Sequence, residues 1–224
     1  NSPVSEADHA ANDMLEQHLR RARPSYQWIS EETVDAVERL TATHLFVVDP
    51  IDGTRAFIAG LLHWSVSVAL VVNGAPMAGV IHAPSLGVTY AAAKGLGAYR
   101  NGESIQVSQR RELEDATVSG GKQTLEQLQE VTGKTVQAGP KIPSLALRLA
   151  LAADSGIDLA LAATGAHDWD VAAADIILQE AGGVLLDTGG ERLIYNRPSL
   201  RRGPLCAGPA DLAAQGARAL WLRR

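Results

Sequence analysis

The sequence predicts an α+β first half carrying an antiparallel sheet and an α/β second half. Three observations lead there. An amphipathic stretch opens the chain, a series of short apolar runs separated by turn residues fills positions 45–104, and strand-like and helix-like segments alternate from residue 116 onward.

The first element is the stretch SEADHAANDMLEQHLRRARP, in which Ala7, Ala11, Met14, Leu15 and Leu19 recur at helical spacing. Ser5 stands where an N-cap belongs and Pro24 lies beyond the end, so a helix is expected from Ser5 to about Arg23. A short β-like run, QWIS, follows, and then the apolar LFVV. The runs WSVSVALVV, PMAGVIHAP, VTYAAA and GAYRNG are punctuated by Asn-Gly, Pro and Gly, which predicts a meander of antiparallel strands. The later elements are expected as strand ATVSGG, helix TLEQLQEVT, strand TVQA, helix SLALRLALAAD, strand IDLALA, helix WDVAAADIILQEAGG, strands VLLD and PLCAG, and helix PADLAAQGARALWL. No repeat or long linker divides the chain, and a boundary between halves 1–115 and 116–224 is placed at the change of rhythm.

Composition narrows the function classes. With 224 residues, of which 46% are hydrophobic, the chain can build a sizeable core. A net charge of −5 offers no basic field for a nucleic acid polymer or an anionic membrane. The longest apolar stretch, 142–163, is interrupted by Arg148, Asp154 and Asp158, too many charges for a membrane span. A single cysteine, Cys206, excludes an internal disulfide and fits a reducing compartment, so the cytoplasm is the expected location. The opening residues do not read as a signal peptide, and they lack a methionine, so an earlier natural start is expected.

Two glycine-lysine stretches do not complete a phosphate-binding loop. In SGGKQT the residue after Lys122 is Gln123, and for Gly133-Lys134-Thr135 the position of the required earlier glycine is Leu128. The histidines form no zinc pattern, which leaves hard, oxygen-liganded cations as the open metal class.

The stretch LFVVDPIDGTRAF concentrates chemistry. Asp49 is expected at the end of a strand, Pro50 fixes φ, and Gly53 permits a tight turn, which would aim Asp49, Asp52 and the Ile51 carbonyl into one small volume suited to a hard dication. A helix starting at Thr54 would turn the free amides of Gly53 and Thr54 toward the same place, where a phosphate could sit. The same residues also serve as an ordinary turn with aspartate caps. Glu31 and Glu32 close a β-like run, and Asp170 occupies the first turn of an Ala-rich helix. Alone, the glutamate pair reads as ordinary solvated surface and Asp170 as a helix-dipole partner.

In order and spacing, however, the acid pair Glu31-Glu32, the D-P-I-D-G-T of Asp49–Thr54 and the Trp169-Asp170 pair opening a helix that ends in Gly-Gly resemble the inositol monophosphatase family. The resemblance extends over nearly the whole chain. It implies a layered αβαβα sandwich, a further helix ahead of Asn1, and a Mg²⁺-dependent, lithium-sensitive phosphomonoesterase that hydrolyses a small phosphorylated metabolite, often as a homodimer. By the same resemblance, Glu31, Asp49 and the Ile51 carbonyl are expected to hold one Mg²⁺ and Asp49, Asp52 and Asp170 a second, with two or three ions in all. Glu31 would also hold or deprotonate the attacking water together with Thr54, whose hydroxyl is oriented by Asp8. Gly53 and Thr54 would hold the phosphate. Arg55, following them, resembles the basic residue of the 3′(2′),5′-bisphosphate nucleotidase and histidinol-phosphate phosphatase branches, where inositol phosphatases have a threonine. The W-D pair sides with the nucleotidases, although Ala56 replaces a glutamate often found there. No carboxylate precedes Trp169-Asp170 in LALAATGAH to grip a polyol. The branch expected is therefore the nucleotidase, with inositol-1-monophosphatase and histidinol-phosphate phosphatase as alternatives and a metal- or nucleotide-binding regulator as the non-enzymatic one.

Overall fold

The computed structural model of the protein describes residues 5–221. Helix α1 (Glu6–Ala22) begins as the sequence expects: Ser5 caps it, and its own amide donates to Asp8 Oδ2 at 2.8 Å, which closes a capping box. Leu15 and Leu19 on its inner face pack against Trp28, Phe46 and Val48.

The first sheet has seven strands in sequential order: β1 (Gln27–Ser30), β2 (His44–Asp52), β3 (Ser65–Val72), β4 (Ala75–Ala83), β5 (Val88–Ala93), β6 (Ala98–Arg100) and β7 (Glu103–Ser104). From β2 onward every pair is antiparallel, the meander predicted from the turn residues. At Asn73-Gly74 and Asn101-Gly102 both residues of the turn have positive φ, the backbone that two-residue hairpins require and that Asn-Gly adopts most readily. The pair β1–β2 is parallel, with Ser30 opposite Val48. The short helix α2 (Thr54–Ile58) follows β2 directly.

The second half alternates β8 (Thr117–Ser119), α3 (Lys122–Thr132), β9 (Gln137–Ala138), α4 (Leu145–Ala153), β10 (Leu159–Ala162), α5 (Asp168–Glu180), β11 (Val184–Asp187), β12 (Leu205–Gly208) and α6 (Ala210–Trp221). The helix expected over 209–222 is found as α6, and its last expected residue, Leu222, lies outside the described residues. The second sheet is mixed, in the order β11-β12-β10-β8-β9.

Alternation along the strands explains the layering. Ala160 and Ala162 join a core shared with Val47, Ala69 and Ile81 of the first sheet and with Leu147, Leu149, Ala173 and Ile177 of α4 and α5. Leu159 and Leu161 point the other way, to Leu128 of α3 and to Leu212 and Ala213 of α6. Hence α4 and α5 fill the space between two sheets, α1 covers the outside of one and α3 and α6 the outside of the other, giving five layers, αβαβα. Each fully buried Leu, Ile or Val contributes roughly 1.5–3 kcal/mol by leaving water. The contact of α5 with β4 is close because of one glycine: a β-carbon at Gly79 would lie 2.7 Å from the Ala173 carbonyl oxygen.

Candidate active site

The site forms where β1, β2, α4 and α5 end or begin. Parallel pairing places the ends of β1 and β2 side by side, and the Glu31 amide donates to the Val48 carbonyl at 3.3 Å, which sets Glu31 beside Asp49. The tight turn falls at Gly53 as expected, but the strand runs past its expected end at Asp49. Strand β2 continues through Pro50 to Asp52, and the chain reverses at Gly53, whose φ of 91° is left-handed. Between Asp49 and Asp52 the register shifts: Asp49 faces Ser67 and Asp52 faces Ser65, three steps on β2 against two on β3. In a regular strand residues three apart project to opposite faces. This bulge reverses the parity and turns both carboxylates to one side. Pro50, with no N–H to donate, falls inside the bulge, where no ladder bond is lost.

Asp170 enters from the first turn of α5, held by the His167 amide, which donates to its Oδ2 at 2.6 Å. One ligand atom from each of Asp49, Asp52 and Asp170 lies within 4.8 Å of the others. Asp52 is tied to the start of α4, accepting from Ser144 Oγ and from the Ala146 amide, each at 2.6 Å. Asp8 serves two structures with its two oxygens: Oδ2 closes the capping box of α1, and Oδ1 lies 3.2 Å from Thr54 Oγ1. The Thr54 hydroxyl is also 3.0 Å from the Ile51 carbonyl oxygen. Arg55 is exposed on α2, and Gly53 is half-buried.

Electrostatics mark the cluster as a site for positive charge. Both oxygens of Asp49 are buried and neither makes a hydrogen bond. Burial first, and then the charges of Asp52, Asp170 and Glu31, hold its carboxyl well above the usual range. Burial and the neighbouring Asp52 push Asp170 up to about 8. Glu31 is raised to about 7 by burial and then by Glu32, Asp52 and Asp8. Asp52 is raised by burial in spite of its bonds to α4 and the nearby Arg148. Like-charged carboxyls packed together, one of them with both oxygens buried, require either protons or a cation. An all-oxygen set of this kind fits a hard divalent ion.

The structure thus brings together Glu31, Asp49, Asp52 and Asp170, with Ile51, Gly53, Thr54 and Asp8 alongside. Ser144 is the residue that sequence reading missed. Its place before an apolar helical run is an N-cap signal, and its hydroxyl accepts from the Leu147 amide at 3.0 Å, but nothing local shows that it also reaches Asp52, 92 positions earlier.

The sequence matches the family model described as Inositol monophosphatase family over residues 1–223. It is 36% identical over 200 residues to inositol monophosphatase 1 of Homo sapiens, a match covering 84% of this chain and 72% of that protein. It is 34% identical over 207 residues to the 3′(2′),5′-bisphosphate nucleotidase CysQ of Aggregatibacter actinomycetemcomitans, covering 88% of this chain and 76% of that protein. Among solved structures, the extragenic suppressor protein suhB of Bartonella henselae superposes with a TM-score of 0.84 at 30% identity, over 98% of this chain and 86% of that one.

Proposed function

The chain belongs to the inositol monophosphatase family, and we propose from that premise that Glu31, Asp49, Ile51, Asp52 and Asp170 hold Mg²⁺ while Thr54, Asp8 and Glu31 handle the attacking water. The family's members are phosphoric monoester hydrolases acting on small phosphorylated substrates, and this chain is one of them. The observation that carries the metal assignment is the buried Asp49 carboxylate, with ligand atoms of Asp52 and Asp170 within 4.8 Å of it and of each other.

Mg²⁺ held by these carboxylates would neutralise phosphate charge, acidify a water and stabilise the leaving alkoxide. The protein's own part follows from its geometry. Thr54 Oγ1 can accept a hydrogen bond from the attacking water while donating its proton to Asp8 Oδ1 at 3.2 Å, which fixes the direction of the water's lone pair. Glu31 takes the proton that the water loses as its oxygen bonds to phosphorus. The ester oxygen departs with the bonding pair and is protonated from solvent. The amides of Gly53 and Thr54 hold phosphate oxygens in place.

For the substrate we infer a nucleoside 3′,5′-bisphosphate. Arg55 follows the phosphate-holding pair and is exposed, free to meet a second anionic group, and no carboxylate in 159–167 is available to grip a polyol. The second reading, inositol 1-phosphate, is favoured by the inositol monophosphatases among the relatives. Phosphate release from adenosine 3′,5′-bisphosphate, inositol 1-phosphate and histidinol phosphate, measured side by side with Arg55→Ala as control, separates them. A higher kcat/KM for the bisphosphate supports the nucleotidase reading. A higher value for inositol 1-phosphate, unaffected by Arg55→Ala, removes it and leaves the phosphatase in place.

A further inference from the structure

Arg201 stands outside every motif discussed so far. It lies between β11 and β12 and pairs with His167 as an isolated antiparallel bridge. The pairing is anchored on both sides: the Arg202 amide donates to the Ala166 carbonyl at 2.7 Å and the Gly165 amide to the Arg202 carbonyl at 3.1 Å. Residues directly opposite on an antiparallel pair project their side chains to the same face. The His167 ring faces Asp170, with Nδ1 3.9 Å from Asp170 Oδ2. Arg201 therefore projects on the face that carries an acid of the cluster.

Three further observations describe this guanidinium. Gly165 lies against it, since a β-carbon there would come within 3.6 Å of Nη2. It is also free. Its neighbour Arg202 is committed to Asp168, with Nε at 2.6 Å and Nη2 at 2.5 Å from Oδ1, whereas the Arg201 side chain, exposed, makes no hydrogen bond or ion pair among the described residues. Arg197, Ser199 and Arg201 border a surface cavity of about 400 Å³, so two free guanidinium groups face one open space.

We propose that Arg201 receives a second anionic group of the substrate at the rim of the acidic cluster, with Arg197 adding charge across the cavity. The proposal rests on the bisphosphate reading above and names a further residue that enforces it. A planar guanidinium with no internal partner, set beside a site that takes up one phosphate, is suited to bidentate contact with a second.

The test compares adenosine 3′,5′-bisphosphate with 3′-AMP, which differ only in the 5′-phosphate, by their ratio of kcat/KM. In the unaltered enzyme the ratio is expected to favour the bisphosphate about tenfold or more. In Arg201→Ala it should fall several-fold, chiefly through KM of the bisphosphate, and Arg201→Lys should restore part of it. Melting curves of both variants should match the parent, since the side chain is exposed. A high ratio that survives in Arg201→Ala overturns the assignment of Arg201 and leaves the bisphosphate reading standing. A ratio near one in the unaltered enzyme overturns both.

Discussion

Asp52 and Ser144 are 92 positions apart, and the Ser144 hydroxyl donates to the Asp52 carboxylate at 2.6 Å while its oxygen accepts the Leu147 amide at 3.0 Å. One side chain thus caps α4 and orients an acid of the site. Ser144→Ala should lose both. The missing cap costs about 1 kcal/mol, or about 2–4 °C in Tm. The freed Asp52 should raise the Mg²⁺ concentration needed for half-maximal activity about tenfold, in line with a lost hydrogen bond to a charged group. Calorimetry and a Mg²⁺ titration of activity read the two effects separately. A lower Tm with an unchanged Mg²⁺ requirement would confine Ser144 to capping.

Asp49→Asn removes a carboxylate that has no donor of its own. Turnover should fall on the order of 10³-fold or more, because several kcal/mol of cation-dependent stabilisation is lost. The metal-free variant should melt at or above the parent's temperature, since the buried repulsion is relieved. Near-normal kcat in the folded variant would show that the site lies elsewhere.

Thr54→Val keeps the volume and β-branching of the side chain and deletes the hydroxyl that lies between Asp8 and the Ile51 carbonyl. A fall in kcat of about 10²-fold with little change in KM is expected, and Thr54→Ser should recover most of it. Equal losses in the serine and valine variants would point to packing instead.

Asp175 gives a pH dependence independent of the acidic cluster. It is buried, accepts from Tyr195 Oη at 2.9 Å and from Gln179 Nε2 at 2.8 Å, and burial raises its pKa to about 6. Between its unfolded value near 4 and about 6 the folded protein holds more protons at this group, so the group's contribution to stability falls as pH rises through that window and stays low above it. The loss is on the order of 3 kcal/mol. Asp175→Asn can keep the Tyr195 bond without the charge. In urea unfolding, the variant should gain stability relative to the parent from pH 4.5 to pH 7.5. A relative stability that does not change with pH would contradict this account.

Local signals carried most of the fold. Ser5, the Asn-Gly turns and the apolar spacing of α1, α4 and α5 act within a few residues of where they stand, so the helices and hairpins were legible in the chain. The set of acids was legible only through the family resemblance carried by D-P-I-D-G-T and the Trp169-Asp170 pair. Three features were not. The bulge that turns Asp49 and Asp52 to one side depends on the pairing of β2 with β3, and an isolated D-P-I-D-G reads as a strand ending at Asp49 rather than at Asp52. The Ser144–Asp52 bond and the His167–Arg201 bridge depend on contacts between distant segments, which no local pattern encodes.

The central claim is that the cluster of Glu31, Asp49, Asp52 and Asp170 works only with a divalent cation. The direct measurement is phosphate release from inositol 1-phosphate and adenosine 3′,5′-bisphosphate by enzyme stripped with chelator, followed as Mg²⁺ is added back. No release from either substrate without the ion, and a saturable return of activity with it, is the expected result. Full turnover in excess chelator would contradict the account.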